Sequence, residues 1–85
     1  MDAQDKINRA NHAQRLLDDS VLSGAFADLE QMYINDWKTA KVDDTVKREQ
    51  AFMALRALED LKATLQSYVQ TGRMVGKHLE RVQKL

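Results

Sequence analysis

The side chains that could carry out acid–base or nucleophilic chemistry are few and scattered. His12 and His78 lie far apart in the chain, and neither has the spacing of a helical zinc site. Adjacent carboxylates occur at Asp18–Asp19, Asp43–Asp44 and Glu59–Asp60. Neighbouring residues of a helix point in different directions, so these pairs do not converge on one ion or substrate. The sequence therefore predicts no catalytic residue, no metal site, no cofactor and no enzymatic activity.

Composition excludes further classes of site. The chain has no cysteine, which removes disulfides, thiolate nucleophiles and zinc knuckles. No glycine-rich phosphate-binding loop occurs. Thirteen Lys and Arg balance thirteen Asp and Glu, which argues against a binder of nucleic acid that is basic along its whole length. No apolar stretch is long enough to span a membrane, and the acidic start is unlike a signal peptide. We therefore expect no membrane partner.

The elements that must position any functional residue are helices. The chain has no proline and only three glycines, and its apolar residues recur every three or four positions. This pattern predicts helices at about 3–17, 21–37, 45–71 and 73–85. Asp18, Asp19 and Ser20 favour a short break, with one continuous helix as the alternative. Asp43, Asp44 and Thr45 are candidate caps, and Gly72 predicts a helix end. We expect an all-α fold: one domain, 1–85, with a helical hairpin or three-helix arrangement and a C-terminal amphipathic helix.

Large apolar side chains on the predicted helices are the candidate core and interface. On the second helix they are Phe26, Leu29, Met32, Tyr33 and Trp37. On the third they are Leu58, Leu61, Leu65 and Tyr68, and Leu79 continues the pattern on the last helix. A chain of 85 residues has a thin core, and a long seam of this kind usually packs against another helix. These residues therefore predict core packing together with homo-oligomerisation. Gly24 is expected to mark a close backbone contact.

Charge is distributed unevenly along the chain. Residues 19–37 contain four acids and no Lys or Arg, whereas residues 73–85 contain four bases and one acid. The four bases, which share one helical face, are Arg73, Lys77, Arg81 and Lys84. They could contact phosphates weakly and without sequence specificity. Val75, Leu79, Val82 and Leu85 form another face, so docking of the last helix is the favoured interpretation. Opposite charge favours its contact with the acidic second helix, within one chain or between copies.

Three segments carry a resemblance to a known group of proteins. They are residues 9–19 (RANHAQRLLDD), 25–37 (AFADLEQMYINDW) and 44–49 (DTVKRE). In these runs, and again around 68–72, the chain resembles small all-helical proteins encoded by tailed bacteriophages and prophages. The resemblance implies a phage product that acts in particle assembly, DNA packaging or host take-over. It supplies no catalytic motif and no functional residue to transfer.

These observations favour a non-enzymatic phage protein that acts through protein–protein contacts in particle assembly. Its expected partners are further copies of itself and another phage or host protein, in the bacterial host cytoplasm or associated with the virion. The first alternative is a nucleic-acid-binding accessory, such as a small DNA-packaging subunit, that uses the four bases of 73–85. The second alternative is an inhibitor of a host protein.

Overall fold

Three helices make up almost all of the computed structural model, which describes residues 2–84. They are α1 (Ala3–Asp18), α2 (Ser20–Thr39) and α3 (Thr45–Gln83), and no strand occurs among the described residues. The predicted all-α, three-helix arrangement is confirmed. No helix within 2–84 is both long and apolar enough to cross a membrane.

Aspartate side chains cap two of the helices. The Asp2 carboxylate accepts a hydrogen bond from the Asp5 backbone N–H at 2.8 Å, and that of Asp44 accepts from the Lys47 N–H at 3.0 Å. Each carboxylate satisfies a backbone donor that has no partner within its helix. Of the three candidate caps before the third helix, Asp44 fills the role. The connection before it, residues 40–44, is closed by hydrogen bonds from the Asp44 N–H and the Arg48 guanidinium to the Lys41 carbonyl.

The break between α1 and α2 is one residue long. Asp19 has φ −68° and ψ 122°, an extended conformation, and its N–H donates to the Leu16 carbonyl at 3.2 Å. Short polar side chains compete with helical backbone hydrogen bonds, which makes this a favourable place to end one helix and begin another. The predicted short break is confirmed.

Helix α3 continues through Gly72, so the prediction of a helix end there and of a separate helix at 73–85 is wrong. No glycine among residues 2–84 has a positive φ, the conformation that a glycine cap requires. One glycine inside a helix costs about 1 kcal/mol relative to alanine, and packing against α1 offsets this cost. The final residue of the predicted segment, Leu85, lies outside the described residues.

The chain divides into two compact units that share α3 between them. Unit 1 comprises residues 1–19 and 63–85, and unit 2 comprises residues 20–62. In unit 1, α1 packs on the second part of α3. In unit 2, α2 packs on the first part of α3. A single domain over 1–85 stays a prediction.

Candidate interaction surfaces

Small side chains form the seam between α1 and α3 in unit 1. Ala10 and Ala13 of α1 are buried, as are Val69 and Gly72 of α3. Neither Ala10 nor Ala13 is among the core residues that the sequence predicts. Burial of such small residues requires the two helix backbones to approach closely.

Gly72 lies at the point of closest approach. A Cβ added to it would overlap the Cβ of Ala10 and would lie 3.3 Å from the Lys6 carbonyl oxygen. By contrast, a Cβ added to Gly24 or Gly76 would have no heavy atom within 4 Å outside its own helix backbone and neighbours. The close contact expected at Gly24 is therefore wrong, because Gly24 lies on an exposed part of α2. The glycine that allows a close contact is Gly72.

Arg9 and Tyr68 form a second contact across unit 1, which sequence reasoning did not find. The Arg9 guanidinium carbon lies 4.0 Å from the centre of the Tyr68 ring. The Arg9 Nε is buried and has no hydrogen-bond partner. The aromatic face therefore stabilises a cation whose Nε donor is unsatisfied. Tyr68, predicted in the seam, is half-buried at this contact.

We expect the Arg9–Tyr68 pair to show measurable coupling. In a double-mutant cycle with Arg9→Met and Tyr68→Leu, the free energy of unfolding should reveal an interaction of about 0.5–2 kcal/mol. Urea unfolding of the four proteins measures it. Tyr68→Phe is the matched control, since it keeps the ring and should retain most of the coupling. Additive effects of Arg9→Met and Tyr68→Leu would show that the stacking contributes nothing.

The C-terminal part of α3 lies against α1. Ala3 and Lys6 of α1 line one groove with Val75, His78 and Leu79 of α3, and Met74 borders it. Leu79 is half-buried there. A contact of this segment with the acidic second helix, of the same chain or of another copy, stays a prediction. The segment docks through its apolar side, as the sequence predicted, on α1.

Four bases lie at this end of α3, and the first of them, Arg73, lines a groove beside the α1–α3 seam together with Ile7, Ala10, Val69 and Gly72. Arg73, Lys77, Arg81 and Lys84 are exposed, and Lys84 pairs with Glu80 at 3.3 Å, one turn away on the same helix. The residues that we name the basic segment, 73–84, thus offer cations to solvent along the outside of unit 1. Such a surface suits weak, salt-sensitive contacts with an anionic partner.

Fewer large apolar side chains are buried in unit 2 than the sequence predicts. Its only fully buried residue is Ala51, and no large side chain anywhere in 2–84 is completely buried. Among the predicted core residues Leu29, Met32, Trp37 and Leu61 are exposed, with Trp37 at 51%. These four residues, predicted to supply core and interface together, are therefore not part of a core within the described chain, and their place in an interface stays a prediction. Two helices packed side by side leave the flanks of each helix uncovered, which is why their apolar side chains remain in solvent.

The remaining predicted residues are partly covered. Half-buried side chains are found at Phe26, Tyr33, Leu58, Leu65, Tyr68 and Leu79. Tyr33 also lines a groove between α2 and α3, together with Asp36, Lys47, Gln50, Ala51 and Ala54. Tyr33, Tyr68 and Leu79 thus lie at contacts between two helices without being enclosed there. Their role in an intermolecular interface stays a prediction.

The side chains with catalytic potential remain separate in the fold. His12 and His78 are exposed, and the Ser67 hydroxyl donates to the Thr64 carbonyl of its own helix at 2.6 Å. No three His, Asp or Glu side chains within residues 2–84 come close enough together to hold a metal ion. The notable surfaces of this chain are therefore apolar and basic ones. Comparison with protein-family models, with curated proteins and with solved structures finds no match.

Proposed function

We propose that this chain is a small, non-enzymatic helical protein that works through protein–protein contacts, including contacts with further copies of itself, in the assembly of a larger particle. One observation carries the proposal. Nine of the twelve exposed large apolar side chains within 2–84 belong to unit 2. Exposed apolar side chains concentrated in this way are typical of surfaces that bind another protein.

The total surface of the chain supports the same proposal. Its accessible area is 6710 Å². A compact monomer of 9.8 kDa exposes about 5,200 Å² by the usual scaling of surface with mass. The excess of about 1,500 Å² exceeds the roughly 800 Å² that each partner contributes to a standard protein interface. Association would bring the exposed area toward that of an ordinary folded chain.

The biological context of the proposal comes from the sequence resemblance. The runs 9–19, 25–37 and 44–49 resemble small helical phage proteins, a group that implies a role in particle assembly. We place the protein in the bacterial host cytoplasm or the virion on that basis. A second phage or host protein is the expected partner beside the chain itself.

A nucleic-acid-binding accessory is the second candidate function, and the exposed basic segment favours it. Four cations lie along the outside of α3 with one acid, Glu80, among them. This number of phosphate contacts would give binding that weakens steeply as salt increases.

We expect the purified chain to exceed the monomer mass of 9.8 kDa at micromolar concentration. Exposed apolar surface provides the driving force, since each Å² removed from water contributes about 25 cal/mol before the cost of association. Sedimentation equilibrium over a wide concentration range, or light scattering after size exclusion, measures the mass. A monomer mass at every concentration would contradict the self-association in this proposal.

A further inference from the structure

One flank of unit 2 carries a row of mainly apolar side chains on α2. The row follows helical steps of four, four, three and four residues and consists of Val21, Ala25, Leu29, Met32 and Asp36. Steps of this kind keep side chains on one face of a helix. The first four are exposed, and Asp36 is half-buried.

Helix α3 carries a row with the same steps. It consists of Val46, Gln50, Ala54, Ala57 and Leu61. All are exposed except Ala54, which is half-buried. The two rows share their spacing but differ in bulk, because the middle of the α3 row is small and the middle of the α2 row is large.

The two rows border the same groove. Asp36 of the α2 row lines it together with Gln50 and Ala54 of the α3 row. Lys47 lines the same groove. The helical steps place the other seven residues on the same flank of α2 and α3, and we name the ten residues the aliphatic face.

Charge distinguishes the aliphatic face from the opposite flank of the same helices. Of its ten residues only Asp36 is charged. The opposite rows are Ser23, Ala27, Glu30, Ile34 and Trp37 on α2, and Arg48, Phe52, Leu55, Glu59 and Lys62 on α3. Four of those ten are charged, although the rows also include exposed aromatic rings. Depletion of charge is the compositional mark of an interface centre.

We infer that a second copy of this chain binds on the aliphatic face, so that α2 and α3 of both copies form a four-helix bundle about a two-fold axis. The inference rests on the proposed self-association and assigns it to one surface. An isologous pair brings the same patch of each copy together. If α2 of each copy lies over α3 of the other, Leu29 and Met32 meet the small residues Ala54 and Ala57 twice, which is the alternation of large and small that packs well.

The exposed area fits this occupant. An interface of standard size covers about 800 Å² on each partner, and the chain exposes roughly twice that amount beyond the area expected for its mass. A two-fold dimer through the aliphatic face is closed, since each copy uses the same surface once. The opposite flank, with Trp37 and Phe52, remains available to a different protein.

Two substitutions separated by one residue on α2 test the inference. Ala25 and Ala27 are both exposed, but Ala25 lies in the aliphatic face and Ala27 on the opposite flank. Ala25→Glu should raise the dimer dissociation constant by roughly tenfold or more, because it places a carboxylate in the interface without a partner. Ala27→Glu should leave the dissociation constant unchanged. It is a matched control, because each new glutamate has an acid three residues later, Asp28 after position 25 and Glu30 after position 27. Sedimentation equilibrium measures both, and circular dichroism confirms that helix content is retained.

Ala57→Glu, in the α3 row, provides a second variant in case Ala25→Glu fails to fold, and it should dissociate the dimer as well. If the wild type associates but only Ala27→Glu weakens association, the interface lies on the opposite flank and the inference is overturned, while the proposed self-association stands. If the wild type associates and neither Ala25→Glu nor Ala27→Glu associates more weakly than it does, the interface lies outside both flanks and the inference also fails. A wild type that is monomeric throughout contradicts the proposed self-association itself.

Discussion

Replacing Gly72 with alanine should destabilise the chain, although alanine is the better helix former. The added Cβ would overlap the Cβ of Ala10 and crowd the Lys6 carbonyl, so α1 and α3 would have to separate. Overpacking of a close contact typically costs about 1–3 kcal/mol, against a gain of about 1 kcal/mol in helix propensity. Because both contacts are to backbone or to a Cβ, no flexible side chain can move aside. The separation would also loosen the neighbouring contacts of Ala13 and Val69.

The other two glycines supply matched controls. A Cβ at Gly24 or Gly76 meets no heavy atom within 4 Å beyond its own helix and neighbours. Gly24→Ala and Gly76→Ala should therefore each stabilise the chain by about 1 kcal/mol. Thermal unfolding monitored by circular dichroism compares the three variants, with each kcal/mol corresponding to about 4–8 °C in a domain of this size. Equal stabilisation by Gly72→Ala and Gly76→Ala would show that the close approach of α1 does not exist.

An exchange of side chains between the two helices isolates the cause. In the double variant Ala10→Gly with Gly72→Ala, the methyl group moves from α1 to α3 and the overlapping pair is removed. The propensity terms of the two changes cancel approximately. The double variant should recover most of the stability that Gly72→Ala alone removes. Failure to recover would mean that the destabilisation arises from the Lys6 carbonyl contact or within α3, and not from the overlap with the Ala10 Cβ.

Local signals in the sequence are sufficient to predict where the helices begin and end, apart from the end of α3. The spacing of apolar residues predicted α1, α2 and the start of α3 to within two residues, and Asp44 acts as the cap that its type and position suggested. The break at Asp19 was also predicted, since consecutive short polar residues disfavour a helix interior. These features depend on a few neighbouring residues, which is why sequence alone reveals them.

Gly72 shows where local reasoning failed. Its residue type is typical of a helix end, but it also falls in the seam that includes Leu65 and Tyr68. The seam position was the better guide, because a glycine there permits a second helix to approach. Deciding between the two interpretations requires the position of α1, which is a tertiary property. The same dependence explains why Gly24 was wrongly expected to make the close contact.

Burial was the least predictable property of the candidate site. Large apolar residues such as Trp37 and Leu61 are predicted to supply core and interface together, whereas the buried positions within 2–84 are mainly alanines. Periodicity indicates which side of a helix is apolar, but it does not indicate how many helices cover that side. In unit 2 one helix covers another, so much of the apolar surface has no cover within the unit. Because the exposed apolar side chains of unit 2 have no cover within the unit, an intermolecular role is the better interpretation of them.

The second large effect is expected at the C-terminal part of α3, where assembly and nucleic-acid binding make opposite predictions. Leu79 is half-buried in the groove that α1 forms with α3, while Arg81 and Lys84 are exposed. Leu79→Ala should lower the free energy of unfolding by about 2 kcal/mol, the lower end for a leucine in a packed site. The double variant Arg81→Gln with Lys84→Gln should change it little, since exposed ion pairs contribute about 0–1 kcal/mol. Urea unfolding of both proteins establishes this order.

Electrophoretic retardation of duplex DNA by the same proteins tests the alternative function. If the basic segment serves only to keep the helix soluble and oriented, the wild type should cause no retardation at physiological salt. A phosphate-binding role instead requires retardation that Arg81→Gln with Lys84→Gln abolishes while the oligomeric mass is unchanged. It also requires the slope of log affinity against log salt to fall by about 2, since each of the two cations removed would otherwise neutralise one phosphate. We expect the first result, because α3 is held by its apolar side against α1 and four exposed cations suffice only for weak, salt-sensitive contacts with phosphates.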